Sequence, residues 1–369
     1  MTIEPRNLAL DAFRGVATLL MIQGHSFGAL LSPAALGGPA PRWYTFLHGL
    51  TAPMFLVGAG LAFGNSRRKY HGRAEPRHAR RQRAASAVRR AFFLLALGMY
   101  LQLPGGSIQR AWSDDALWDR AVAVGPLQLI AACLLLSAAI HQVFPGRRGT
   151  WTGHALWLLL ALGLAPLFWS SRASMHLPAV WGTWLDGTRG STFPFFPWSA
   201  FFAAGVLSAE AVTQSASARS AVAVLTRGAA LMGGALLLHY AQLIPLHGEL
   251  YWHAGAPYFV FRMGACLLLL GVLLWLKTRH AVSRLPLPIG LFARHSLTAY
   301  VAHLLILYGS PYSRGLVHFA RAVPLAVGSA LTALVLGVSL LACYIAHSLK
   351  SRRASPASPL AAPGHTQGL

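Results

Sequence analysis

LDAFRGVATLLMIQGHSF, residues 10–27, carries the decision between a soluble fold and a membrane fold. The apolar run around it extends over 8–31, and a bilayer crossing needs about 20 mostly apolar residues. Asp11 and Arg14 interrupt the run, unlike the unbroken core of a removable signal peptide, so the segment reads as a permanent span with a polar stripe. Asp11 and Arg14 stand three residues apart, neighbours on one helical face, and are expected to pair. Arg14 and His25 stand eleven apart. At ~100° per residue that is three turns with about 20° left over, so they share a face and lie about 16 Å apart along the axis. Such a stripe has to face protein or a cavity rather than lipid.

The rest of the chain has the same character. Of its 369 residues, 55% are hydrophobic and only 11% charged, where soluble domains carry about 25% charged residues. Mean hydropathy is +0.50. Disorder and a disulfide scaffold are both excluded by this composition. Nine further spans are predicted at 45–64, 90–104, 121–143, 153–170, 193–212, 222–244, 258–276, 288–309 and 323–348. The expected fold is therefore all-α, a polytopic membrane bundle of about ten helices. It occupies residues 1–350, and 351–369 is expected to be a disordered cytoplasmic tail. Cys133, Cys266 and Cys343 all fall within predicted spans and are expected to be buried thiols. No internal repeat of the transporter kind is visible.

A formal net charge of +22 can indicate nucleic-acid binding, but that needs a soluble basic face. Here the charge sorts by side. Ten spans put both termini on one side. Twenty of the 31 basic residues then fall on that side, including Arg6, the ten between Arg67 and Arg90, Arg147, Arg148, Lys277 and Lys350. The other side holds seven, together with Asp114, Asp115, Asp119, Asp186 and Glu249. The positive-inside rule makes both termini cytoplasmic and calls for no nucleic acid. The run RRKYHGRAEPRHARRQRAASAVRR, residues 67–90, either rests on acidic membrane lipid or attracts a polyanionic cytosolic substrate.

Depth sorting finds company for both ends of the polar stripe. At the outer level lie His25, His48 just before Gly49-Leu50-Thr51, Trp198 in FPFFPW, Arg262 in YFVFRMG, and His303. At the inner level lie Arg14, Arg294 and His295, while Arg227 and His239 read as snorkelling residues near helix ends. Three imidazoles at His25, His48 and His303 would suit zinc, but no HxxxH or HxH spacing supports a metal, and none is expected. The preferred chemistry is general base catalysis by histidine at neutral pH, deprotonating a hydroxyl or amine as it attacks an activated acyl group. Arginine binds phosphate and stays charged when partly buried, so Arg14 is placed to meet a phosphorylated donor such as acyl-CoA.

These same residues carry a resemblance. LDAFRGVATLLMIQGHSF resembles the opening helix of the transmembrane acyltransferase superfamily, with an Arg and, after ten intervening residues, a His. HGLTAPMFLVGAGLAF (48–63), VGPLQLIAACLLL (124–136) with Gln128, FPFFPWSAFFAAGVLSAE (193–210) and RHSLTAYVAHLLILYG (294–309) resemble, in order, segments of its heparan-α-glucosaminide N-acetyltransferase-like branch. Family-3 acyltransferases are a more distant likeness. The resemblance implies a multi-pass enzyme that takes an acyl group, acetyl first among them, from cytosolic acyl-CoA to a sugar-containing acceptor across the membrane. It implies His25 as catalytic base, with Arg14 and His303 at matching positions. The site expected on these grounds and on depth sorting adds Asp11 to the catalytic set, places Arg14, Arg294 and Arg262 toward the donor, and His303, Trp198 and Gln128 toward the acceptor. His48 remains the rival base. In that branch a His precedes the GLT motif by a few residues and an acid follows, whereas here His48 abuts Gly49 and Ala52-Pro53 follow. His25 is preferred because it shares a face with Arg14.

No luminal domain is expected ahead of the first span, which points away from heparan and toward a microbial cell-envelope glycan or lipid-linked sugar. The expected location is a bacterial inner membrane. The rival class is a transporter or exporter, for which buried Arg and His would line a substrate or proton path. Acyl-CoA consumption separates the two.

Overall fold

A computed structural model describes residues 7–37, 39–66, 75–103, 119, 121–213, 217–241, 253–279, 285–310 and 312–354. Its long helices are α1 (Leu8–Leu30), α2 (Pro39–Asn65), α3 (Arg77–Gln102), α4 (Pro126–Val143), α5 (Arg147–Ser171), α6 (Phe195–Thr213), α7 (Ala218–Tyr240), α8 (Ala256–Thr278), α9 (Leu287–Arg294), α10 (Ser296–Tyr308) and α11 (Leu325–Ala354). Among the described residues, eight helices are long and apolar enough to cross a membrane, and the bent pair α9–α10 makes a ninth. α1 has 23 residues, about 34 Å at 1.5 Å per residue. It has the length of a span, and its polar stripe dilutes its hydropathy. The all-α polytopic bundle is as expected.

Three boundaries differ from the sequence expectation. α3 begins at Arg77, well before 90. Its first turns carry basic residues, which stay helical because long cationic side chains reach water from a helix end. The expected span 288–309 is broken by a 94° bend between α9 and α10, with His295 at the corner in a non-helical conformation (φ −121°, ψ 34°). Gly15 of α1 provides one reason for that shape. A Cβ there would stand 2.5 Å from the Ile289 carbonyl oxygen, so only glycine admits α9 this close. Finally, α11 runs to Ala354, past the expected domain end at 350. Residues 355–369 of the expected tail lie outside the described residues, as do Asp114, Asp115, Glu249 and the loop 67–74.

Small residues set the other close contacts. In lipid, helices associate through van der Waals packing, which favours glycine at crossings. On the α2–α6 contact a Cβ on Gly60 would lie 2.2 Å from the Phe202 carbonyl oxygen, and one on Gly205 would lie 2.4 Å from that of Val57. On α7–α8, a Cβ on Gly228 would meet the Leu268 nitrogen at 2.5 Å. Around these contacts Phe13, Met54, Val57, Leu61, Leu129 and Phe202 form a buried core. Cys133, Cys266 and Cys343 are buried thiols.

The two ends of the bundle are tied differently. At the end rich in basic residues, Gln142 Nε2 donates to the Arg80 carbonyl (3.2 Å) and Arg147 Nε to Glu210 (2.9 Å). At the opposite end the backbone of Leu31 bridges Val323, joining the end of α1 to the approach of α11. There a folded loop centres on buried Asp186. Its carboxylate accepts from the Ser174 hydroxyl (2.7 Å), the Ser174 amide (3.1 Å) and the Thr188 amide (2.8 Å). Nearby Arg189 pairs with Asp119 at 3.1 Å.

Two outcomes follow from this packing. Gly228→Leu should overpack the α7–α8 crossing by about 1–3 kcal/mol or more, seen as a lower Tm of the detergent-solubilised protein. Gly233→Leu, with nothing within 4 Å of its Cβ position, should leave Tm unchanged or raise it. For Asp186, burial works to raise the carboxyl pKa, but hydrogen bonds from Thr188 and Ser174 outweigh it and hold the group below its ordinary 3.8. A folded value below the unfolded one means stabilisation above the unfolded pKa that is lost as pH falls through the folded one. Asp186→Asn should therefore lower Tm at neutral pH, and the gap from wild type should close as the pH is taken below 3.8.

Candidate active site

The stripe on α1 meets two other helices, α2 and α10. At its inner part the Arg14 guanidinium donates from Nη2 to the Ser296 hydroxyl, 3.0 Å away at the first residue of α10. Its aliphatic stem lies beside Gly58 of α2, whose Cβ position is 3.8 Å from Arg14 Cγ. The Thr18 hydroxyl donates to the Arg14 carbonyl (2.9 Å), one turn along the same face. Asp11 sits in the first turn of α1, where a carboxylate suits the helix N-terminus, and is half-buried.

About 16 Å further along the axis, His25 enters a group of three histidines from three helices. His25 Nδ1 lies 2.8 Å from Nε2 of His303 on α10, and the two rings stack at 5.1 Å with 13° between their planes. His303 is fully buried, and its Nδ1 lies 2.9 Å from the Ala299 carbonyl oxygen. His48 of α2 stands edge-on to His25 at 5.6 Å. Gly24 makes room for it, since a Cβ there would fall 1.9 Å from His48 Nδ1. That Nδ1 is buried and, among the described residues, has no hydrogen-bond partner.

The hydrogen bonds assign the protons. A carbonyl can only accept, so His303 Nδ1 must carry a hydrogen and donate to Ala299. Neutral His303 then accepts at Nε2, and His25 donates to it from Nδ1. His25 is left with its lone pair on Nε2. This is the arrangement of a general base whose ring is oriented through its other nitrogen. The 2.8 Å contact is a direct hydrogen bond, and among the described residues no group of three His, Cys, Asp or Glu could hold a metal ion.

Arg262 stands in the half of α8 nearer that end, away from Arg14. Its Nη2 donates to the Tyr258 hydroxyl one turn earlier, and its guanidinium carbon lies 3.8 Å from the Tyr258 ring centroid and 5.5 Å from that of Trp198. Nη2 is also 3.2 Å from the Cβ position of Gly49, next to His48. Trp198 thus does belong to the group around the histidines. Arg294, expected at the inner level with Arg14, is exposed at the end of α9, two residues before Ser296. One expected acceptor residue does not join the group around the histidines. Gln128 is buried in the α3–α4 contact, where its amide donates to Gln102 Oε1 (2.6 Å) and packs on Gly98. Arg227 is exposed on α7.

Sequence reading missed Ser296, Tyr44, Tyr258 and Tyr300. Three of these had a signal. Tyr44 and Tyr258 precede His48 and Arg262 by four residues, and Tyr300 precedes His303 by three, spacings that share a helical face. Tyr44 stacks on His48 at 5.8 Å and donates to the Gly24 carbonyl at 2.5 Å. The Tyr300 ring stands edge-on to His303 at 5.6 Å. Ser296 had no such signal.

A second feature lies at the basic end, a cavity of about 220 Å³ between α2, α3 and α4. Arg80, Arg83, Arg90, Ser66, His141 and Gln142 contribute its polar lining. Arg80 Nε is buried there without a hydrogen-bond partner, and Arg83 pairs with Glu75. Ala59 and Ala62 of its wall follow Gly58, the residue beside Arg14, along α2.

With this geometry in hand, comparison with known proteins gives one result of wide coverage. The acyltransferase family 3, described as an acyltransferase domain, matches residues 7–347. No curated protein matches. The match takes in all the helices named above except the last residues of α11, and it is to the family that sequence reading had as the more distant likeness. The closer resemblance, to the heparan-α-glucosaminide N-acetyltransferase-like branch, has no match behind it.

The proton assignment can be read directly. In protein labelled with ¹⁵N-histidine, solid-state NMR should show His25 and His303 as neutral rings protonated on Nδ1, and His303→Ala should release His25 from that form. Signals for both rings protonated on Nε2 would refute the assignment.

Proposed function

The chain belongs to the family-3 acyltransferases, and on that premise we propose that this membrane acyltransferase moves an acyl group, acetyl first among them, from cytosolic acyl-CoA to a hydroxyl or amine of a sugar-containing acceptor at the outer face, with His25 as base. The observation that carries the reading is the His25–His303–Ala299 line of hydrogen bonds, which leaves the Nε2 lone pair of His25 to take a proton. The acceptor O–H or N–H gives its proton to that nitrogen while its oxygen or nitrogen bonds to the thioester carbonyl carbon. Collapse of the tetrahedral adduct breaks the carbon–sulfur bond, and the proton on His25 Nε2 passes to the departing thiolate. His303 keeps the His25 ring in its tautomer and orientation, the role a carboxylate fills in a serine triad.

The two layers suit a donor that is long and charged at one end. Arg14, held by Ser296, and the arginine-lined cavity beyond it lie at the end rich in basic residues, the cytoplasmic end under the positive-inside rule. Phosphates of the coenzyme belong there, met by guanidinium groups. The separation of about 16 Å between Arg14 and His25 is of the order of an extended pantetheine arm, which would bring the thioester to His25 while the nucleotide stays outside the apolar core. His48 is the less suited base. Its Nδ1 is shut against Gly24 and has no hydrogen-bond partner among the described residues. The setting proposed is a bacterial inner membrane, with an envelope glycan or lipid-linked sugar as acceptor. Membership in an acyltransferase family places this reading ahead of transport.

The test uses membranes containing the full chain, supplied with radiolabelled acetyl-CoA on the cytoplasmic side. Label should enter a membrane glycan or glycolipid fraction, and His25→Ala should reduce the rate by about 10²–10⁴, the usual contribution of a general base. His48→Ala should retain most of it. Transfer that survives His25→Ala and disappears in His48→Ala would reverse the choice of base, and no consumption of acetyl-CoA would return the transport reading.

A further inference from the structure

Arg262 is a cation with no carboxylate partner among the described residues, in a place where charge is costly. It lies one and a half turns into α8, half-buried, at the level of the histidines. Aromatic groups hold it on two sides, Tyr258 by ring face and hydroxyl and Trp198 by ring face. Such contacts support a guanidinium but do not neutralise it. Among the described residues no carboxylate pairs with it. Of the described acids at the outer end, Asp119 is engaged by Arg189, and Asp186 by Ser174 and Thr188. A guanidinium has five N–H donors in a planar fork, and Tyr258 accounts for one interaction. The fork that remains matches a bidentate oxyanion.

Its neighbours aim that fork at the acceptor. Gly49 lies against Nη2, where a side chain would crowd the guanidinium. The next residue along α2 is His48, whose ring stands 5.6 Å from that of His25. The line Arg262, Gly49, His48, His25 therefore sets a fixed positive charge beside the proposed base, on the side away from Arg14 and the basic end. A nucleotide phosphate has its cations at that other end.

We propose that Arg262, clamped by Tyr258 and Trp198, is the subsite that selects an anionic acceptor, a sugar bearing a carboxylate or phosphate close to the hydroxyl or amine that is acylated. This rests on the acyltransferase reading above and adds the charge of the acceptor to it. The carboxylate or phosphate accepts two N–H bonds from the guanidinium while its sugar ring lies along Trp198, and the accepting group is thereby presented to His25. Lysine in place of Arg262 would keep the charge but lose the fork.

The probes are methyl β-D-glucuronide, methyl β-D-glucoside and glucose 1-phosphate, used with the purified full-length protein and with membranes supplied with radiolabelled acetyl-CoA. In the wild type, the two anionic probes, or one of them, should stabilise the protein in a thermal-shift titration and inhibit label transfer to the membrane acceptor. Each effect should appear at concentrations at least tenfold below those needed for the neutral glucoside. Arg262→Gln should erase that preference, and Arg262→Lys should keep only part of it. Which anionic probe is preferred tells carboxylate from phosphate. If the wild type treats charged and neutral probes alike, or if Arg262→Gln keeps the preference, the subsite is refuted and the arginine is a structural anchor. The thermal shift needs no turnover, so it decides this point even if acetyl-CoA is not consumed. Consumption without charge preference would remove the subsite and leave the acyltransferase reading in place.

Discussion

A transmembrane helix that carries Asp11, Arg14, Gln23 and His25 has to be enclosed by protein, and the arrangement of its neighbours follows from that requirement. An ionisable group facing hydrocarbon costs a few kcal/mol on insertion scales. α1 is accordingly packed on by α2, α8, α9, α10 and α11, the helices that also supply Gly58, His48, Ser296 and His303. Satisfying the polar stripe and assembling the candidate site are one event. Gly15 and Gly24, on α1 itself, are the positions where the enclosing elements come closest.

Two-layered polarity then follows from helix geometry alone. Arg14 and His25 share a face because eleven residues are nearly a whole number of turns. The Arg14 level is finished by a hydroxyl at the start of α10, and the His25 level by an imidazole near that helix's other end. One short helix therefore completes both levels. The spacing between cation and base is a property of rigid elements, not of loops, which is the condition for holding reacting groups in register.

The spans were legible in the sequence because lipid demands long apolar runs. His25, Arg14, His303, Trp198 and Arg262 were legible as a group from depth and helical face. What was hidden was tertiary. No proline or glycine marks the corner at His295, so 288–309 read as one straight span. The corner goes with a close approach of Gly15 and Ile289, far apart in the chain. Gln128 read as an acceptor contact through the family resemblance of its segment, whereas its amide donates to a second amide, Gln102. The tyrosines beside His48, Arg262 and His303 were readable from spacings of three and four. They were passed over because an aromatic residue in a membrane helix carries no polar signal of its own.

The corner at His295 also bears on electrostatics across the bilayer. α10 has 13 residues, about 20 Å of rise, against a hydrocarbon thickness of about 30 Å. Ser296 and His303 are seven residues apart on α10, about 10 Å of rise, so the apolar septum between the Arg14–Ser296 pair and the histidines is thinner than the membrane around the protein. A transmembrane voltage falls mostly across whatever insulates, so the field here is concentrated on that septum. An acyl group is uncharged, and the nucleotide that carries it need not enter the septum. On the proposed reading, passage of the uncharged acyl group through that field does no electrical work, so transfer to the far side draws nothing from the membrane voltage.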